Sequence, residues 1–105
     1  MTIVRRYASN RTLTDTLTQG GATVDLTDAA VEFHLRSCET GLIEVRTATV
    51  ATDPTTGVVS YQLAADDIAT SGRYEYEWQV TFDDGTVIVL PESGAKALRV
   101  VDNLE

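Results

Sequence analysis

From Gly72 to Phe82 the chain reads Gly-Arg-Tyr-Glu-Tyr-Glu-Trp-Gln-Val-Thr-Phe. Tyr74, Tyr76, Trp78, Val80 and Phe82 alternate without exception with Arg73, Glu75, Glu77, Gln79 and Thr81. A period of two is the signature of a strand with one face in a core and the other in water. A helix would scatter the same aromatics around its circumference. Asp83-Asp84-Gly85 follows, then the apolar run Thr86–Leu90. A three-residue loop ending in a left-handed glycine is a common hairpin connection, so 73–82 and 86–90 are predicted to pair antiparallel. The outward stripe of Arg73, Glu75 and Glu77 is a solvated face or a polar contact surface against another subunit.

Weaker copies of this pattern fill the rest of the chain. In Ala30–Arg36, Val31, Phe33 and Leu35 are predicted to point inward and Glu32, His34 and Arg36 outward. Ser37–Gly41 reads as a turn and 42–50 as the returning strand, with Ile43 and Val45 inward and Glu44 and Arg46 outward. Asp53-Pro-Thr-Thr-Gly57 is a turn with proline pre-set for its second position. Val58–Leu63 is a further strand and Ala97–Val101 the last one. Thr12–Thr18 alternates around two leucines, Gln19–Ala22 interrupts it, and Thr23–Leu26 is a short strand or edge. Ala64–Thr70 is the one helix candidate, a turn or two ended by Ser71-Gly72. Val, Ile and Thr number 12, 4 and 16 of 105 residues, which favours strands throughout.

Turn signals every 8–12 residues and no βαβ spacing predict an all-β antiparallel sandwich or barrel of about seven to eight strands. At most one short helical turn is expected, near residues 64–70. Residues 11–102 are read as one sandwich domain, and residues 1–10 as an N-terminal arm or first strand. The predicted core includes Val31, Phe33, Leu35, Tyr61, Tyr76, Trp78, Val80, Phe82, Leu98 and Val100.

Charge narrows the function. Eight basic against sixteen acidic residues leave a net charge of −8. Such a chain repels phosphate backbones and anionic bilayers, so no nucleic-acid or membrane partner is expected. No stretch approaches the ~20 apolar residues of a membrane span, and Met1–Tyr7 lacks the apolar run of a secretory signal. Synthesis in a cytoplasm is therefore expected. A single cysteine, Cys38, excludes an internal disulfide.

Catalytic patterns are weak. His34 is the one histidine and Cys38 lies in the next turn, too far along a strand for a nucleophile–base pair. One Cys and one His cannot furnish an ordinary zinc site. Asp66-Asp67 and Asp83-Asp84 lie in predicted turns, where aspartate is common, and neither has calcium-loop spacing. No phosphate-binding glycine motif is present. No enzyme activity, cofactor or metal is expected. The aromatic stripe would be a carbohydrate platform only if it faced water, and its alternation with charges places it in the core. The segment Ile3-Val4-Arg5-Arg6-Tyr7 carries two of the few cations on an acidic chain, flanked by apolar groups. It is the candidate interface, an arm able to dock on a neighbour or add a strand to its sheet. Deleting residues 1–7 is expected to weaken assembly while leaving the fold intact.

Four stretches in order carry a resemblance: residues 23–36 (Thr-Val-Asp-Leu … Phe-His-Leu-Arg), 53–61 (Asp-Pro-Thr-Thr-Gly-Val-Val-Ser-Tyr), 64–80 and Phe82-Asp-Asp-Gly-Thr86. Together they resemble the immunoglobulin-like N-terminal domain of tailed-phage baseplate upper proteins, over about residues 11–101. The resemblance implies an immunoglobulin-like sandwich acting as a structural protein in a virion, as a homo-oligomer in contact with other virion proteins. A neck or capsid-decoration protein, or a module binding carbohydrate or a host surface, remains as an alternative. Ala69–Tyr74 resembles the approach to a tyrosine corner, with Tyr74 as the residue whose hydroxyl bonds back upstream.

Overall fold

The computed structural model describes residues 2–92 and 94–102. Its strands in chain order are β1 (Thr2–Arg5), β2 (Thr12–Thr16), β3 (Thr18–Gln19), β4 (Ala22–Thr23), β5 (Ala30–Ser37), β6 (Ile43–Thr47), β7 (Thr49–Val50), β8 (Val58–Gln62), β9 (Gly72–Thr81), β10 (Val87–Leu90) and β11 (Lys96–Val101). The fold is all-β. Two 3₁₀ turns, Pro54–Thr56 and Ala65–Ile68, accompany the strands.

The alternating run is the spine of the larger sheet. β9 pairs antiparallel with β5 along its length, setting Val80, Trp78 and Tyr76 opposite Val31, Phe33 and Leu35. On its other side β9 pairs first with β11 and further along with β10. The six-stranded sheet runs β1-β11-β9-β5-β6, with β10 as a second neighbour of β9. The second layer is β2-β8-β7, and β3 and β4 form a small hairpin.

The core lies between the layers. Phe33 and Trp78 are completely buried. Phe33 stacks on Tyr61 of the opposite sheet with ring centroids 4.6 Å apart, and Trp78 tilts against it at 5.0 Å. Burying large side chains of this kind stabilises a fold by roughly 1.5–3 kcal/mol each. Val31, Phe33, Leu35, Tyr76, Trp78, Val80, Leu98 and Val100 are buried as predicted, whereas Tyr61 and Phe82 pack against the core half-exposed. The predicted hairpin forms, with Phe82 N–H donating to Thr86 O across the Asp83–Gly85 loop at 2.8 Å. The tyrosine corner forms too, as the Tyr74 hydroxyl donates to Thr70 O at 2.7 Å.

Several expectations are corrected. The sheet is mixed rather than antiparallel, because β1 runs parallel to β11. Strands are more numerous than seven or eight, because several are interrupted. The predicted 42–50 strand divides at Ala48, where β6 leaves β5 and β7 joins β8 in the other layer. Within β6 the facing is inverted. Ile43 and Val45 pair with Arg36 and His34 and point outward, while Glu44 and Arg46 share the face of Leu35 and Phe33. A one-residue shift in register turns every side chain over, and Arg46 is held on the inner side by a buried partner described below. A second helical turn also appears, at Pro54–Thr56. There Asp53 accepts the Thr55 N–H at 3.1 Å, and Gly57 closes the turn at φ +70°.

Candidate interaction surface

The outer face of the six-stranded sheet collects side chains from strands far apart in sequence. The alternation that buries Trp78 and Tyr76 sends Glu75, Glu77 and Gln79 to this face, beside Glu32, His34 and Arg36 of β5. Arg36 forms an ion pair with Glu75. That hydrogen bond and charge hold the Glu75 carboxyl below its ordinary value. Gln79 donates to Glu32 Oε1 at 3.3 Å, and His34 Nε2 lies 3.4 Å from the same oxygen. The centre of the face is thus charged but largely paired internally.

Its flanks are aliphatic. Among the described residues seven large hydrophobic side chains are exposed: Ile3, Tyr7, Leu42, Ile43, Val45, Val87 and Val89. Five of them lie on this face by register. Ile43 and Val45 stand on β6, Val87 and Val89 on β10, and Ile3 on β1 beside Arg99. At about 4.8 Å per strand, the face spans roughly 19 Å from β1 to β6. Scattered exposed aliphatics are ordinary, but here five of the seven lie on one sheet face, on either side of its charged centre.

Two polar clusters join segments far apart in sequence. In the first, the Asp67 carboxylate is buried in the 3₁₀ turn. Its Oδ2 accepts the Tyr61 hydroxyl at 2.6 Å and the Ala64 N–H at 2.9 Å, and its Oδ1 faces Arg46 Nη2 at 3.1 Å. The Tyr61 phenol is pushed up to about 12, by burial first and by the hydrogen bond to Asp67 second. In the second cluster, Asp15 occupies an inward position of β2. It accepts the Trp78 indole N–H at 2.7 Å and pairs with Lys96. That hydrogen bond raises the Lys96 ammonium above its ordinary value. A cleft of about 340 Å³ opens beside Asp15, Pro91 and Lys96. Sequence reasoning passed over Asp15 and read Asp67 only as a turn residue. Leu13-Thr-Asp-Thr-Leu17 places Asp15 in phase with two core leucines, and that was its signal. Asp67 sits in a turn, where no period marks an inward residue.

The segment Ile3–Tyr7 is placed as follows. Ile3 is exposed on the outer face. Val4 is buried opposite Val100, so it belongs to the core and offers no surface. Arg5 is exposed. Arg6 is turned back onto the protein, with Nε donating to Ala69 O at 2.6 Å and the guanidinium 5.0 Å above the Tyr7 ring. Tyr7 is exposed at φ +64°. Removing residues 1–7 therefore also removes a core side chain and the strand that covers the edge of β11.

The remaining candidates do not converge. His34 contacts Glu32, whereas the Cys38 thiol faces Glu75 Oε1 at 3.6 Å. Asp84 accepts the Thr86 N–H at 2.9 Å as a turn residue. Among the described residues no three potential metal ligands cluster, and no helix is long and apolar enough to cross a membrane. Trp78 and Tyr76 are inside, so the aromatic stripe is no carbohydrate platform.

These features describe a β-sandwich domain with an open sheet face suited to contact with another protein. The BppU N-terminal domain family matches residues 4–90, from within β1 through β10. The chain belongs to this family, a structural domain of the phage baseplate. Comparison with curated proteins gives no match.

Proposed function

We propose that this chain is a non-enzymatic structural component of a tailed-phage baseplate, made in the host cytoplasm and built into the virion through protein–protein contacts. The contact surface is the outer face of the six-stranded sheet, extended at the β1 edge by Ile3, Arg5 and Tyr7. One observation carries this: five of the seven exposed large hydrophobics share that face. Family membership favours the baseplate over a neck or capsid-surface position. The sandwich we read as immunoglobulin-like, on the tyrosine corner at Tyr74 and the exchange of sheets at Ala48.

The test is particle incorporation. Virions are assembled with the chain supplied in trans, either wild type or carrying Val87→Asp and Val89→Asp together. Both valines are exposed, so circular dichroism is expected to show an unchanged fold. The double variant is expected to fall at least about tenfold in purified particles, the effect of losing a modest ~1.4 kcal/mol of contact. Wild-type incorporation overturns the assignment of this face. Ile3→Asp with Arg5→Glu probes the β1 end without the core damage of a truncation.

A further inference from the structure

The outer edge of β6 has a geometry that selects its own partner. β6 ends the six-stranded sheet, and among the described residues no strand pairs with its far side. The hydrogen-bonding phase of that edge follows from two bonds at either end of the β5–β6 pairing. Ser37 N–H donates to Leu42 O at 2.9 Å, and Ala48 N–H donates to Val31 O at 3.0 Å. Bonded and non-bonded pairs alternate along an antiparallel ladder. His34 and Val45, midway between those two bonds in the register, are therefore a non-bonded pair. It follows that the N–H and C=O groups of Ile43, Val45 and Thr47 point away from β5, towards the open edge. Of these groups only the Val45 carbonyl has a partner among the described residues, the Arg46 guanidinium at 3.2 Å.

We infer that a second copy of this chain pairs antiparallel with β6 about a two-fold axis through Val45, joining two sheets into one. With Val45 opposite its own copy, the outward groups of Ile43, Val45 and Thr47 meet those of Thr47, Val45 and Ile43 in the partner. The same register sets Glu44 of each copy directly opposite Arg46 of the other. These are the non-bonded positions of the new ladder, where side chains approach most closely. A two-fold interface must be complementary to itself, and an acid and a base placed symmetrically about Val45 meet that condition twice. In the single chain Arg46 already lies 3.1 Å from its own Glu44, so the exchange keeps the type of contact and changes the copy. Val45 meets Val45, and Ile43 meets Thr47, on the outer face. Any other antiparallel register loses the charge match, and a parallel approach keeps at most one of the two pairs.

This names a partner for the structural role proposed above, yet it is tested on the isolated chain, so its failure leaves the virion role standing and the reverse also holds. The full chain is followed by sedimentation equilibrium up to millimolar concentration, with near-ultraviolet circular dichroism as the control for folding. The wild type is expected to form dimers. Glu44→Arg places like charges opposite each other while keeping Arg46 on Asp67, and is expected to raise the dissociation constant at least tenfold. Val45→Pro removes an outward N–H that makes no bond within the chain, and is expected to act in the same direction. Amide exchange at Ile43, Val45 and Thr47 is expected to slow as concentration rises, while Glu44 and Arg46, already bonded to β5, stay protected throughout. A chain that remains monomeric, a dimer unmoved by both variants, or exchange at those three amides independent of concentration overturns the inference.

Discussion

Among the described residues Asp67 is the buried charge that joins β6, β8 and its own turn. Its carboxylate closes the 3₁₀ turn at Ala64, receives the Tyr61 hydroxyl and fixes Arg46. Removing one member of a buried ion pair leaves the others without compensation. Asp67→Ala is expected to cost about 3 kcal/mol in urea unfolding, with Asp67→Asn milder because an amide still accepts from Ala64. Tyr74→Phe removes one hydrogen bond, to Thr70 O, and is expected to cost about 1 kcal/mol. The tyrosine corner was legible in the residues around Tyr74. The Asp67 cluster was not, because a buried carboxylate and a turn aspartate look alike until a distant arginine is brought to it. That arginine also explains the inverted facing of β6. Alternation identified the strand, but either phase fits Ile-Glu-Val-Arg, and apolar-inward was the wrong choice.

At the scale of elements, the segments that read clearly were those with a sustained alternation or a tight loop of their own. β9 and β10 are joined by a tight loop, and β5 announces itself by three in-phase apolar residues. β1 pairs with β11 at the other end of the chain, and no local pattern in Ile3-Val4 reveals a parallel neighbour so distant. The β3–β4 hairpin is held in the same non-local way. Leu17 N–H donates to Gly57 O at 2.8 Å, and Val24 N–H to Leu17 O at 2.9 Å. A Cβ at Gly57 would stand 2.9 Å from Leu17 O and 3.0 Å from Val24 O, in a residue already at φ +70°. Both neighbours are backbone and cannot swing aside. Gly57→Ala is therefore expected to cost about 2 kcal/mol or more in thermal or urea unfolding. Gly85 stands at φ +88° with open space around its Cβ position. Alanine there bears the backbone strain without the clash and is expected to cost less.

For the whole molecule, alkaline pH tests whether the two sheets are locked together as the core geometry implies. Tyr61 belongs to one sheet, Tyr74 and Tyr76 to the other, and burial raises all three phenols above the ordinary value of 10. A phenol whose pKa is higher in the folded state binds its proton more tightly there than in the unfolded chain. The stability this represents is fully present below pH 10 and is lost as pH rises through the folded values. For Tyr61 that window extends from about 10 to about 12, because its hydroxyl is both buried and donated to a carboxylate. Absorbance titration is expected to show these three phenols ionising late, together with loss of the near-ultraviolet Trp78 signal. Tyr61→Phe keeps the stacking on Phe33 and removes the ionising group. It is expected to lower stability at neutral pH by about 1 kcal/mol for the lost hydrogen bond, and to flatten the decline above pH 10. Equal slopes for wild type and Tyr61→Phe above pH 10 would mean that the Tyr61 hydroxyl is not held by Asp67 in solution.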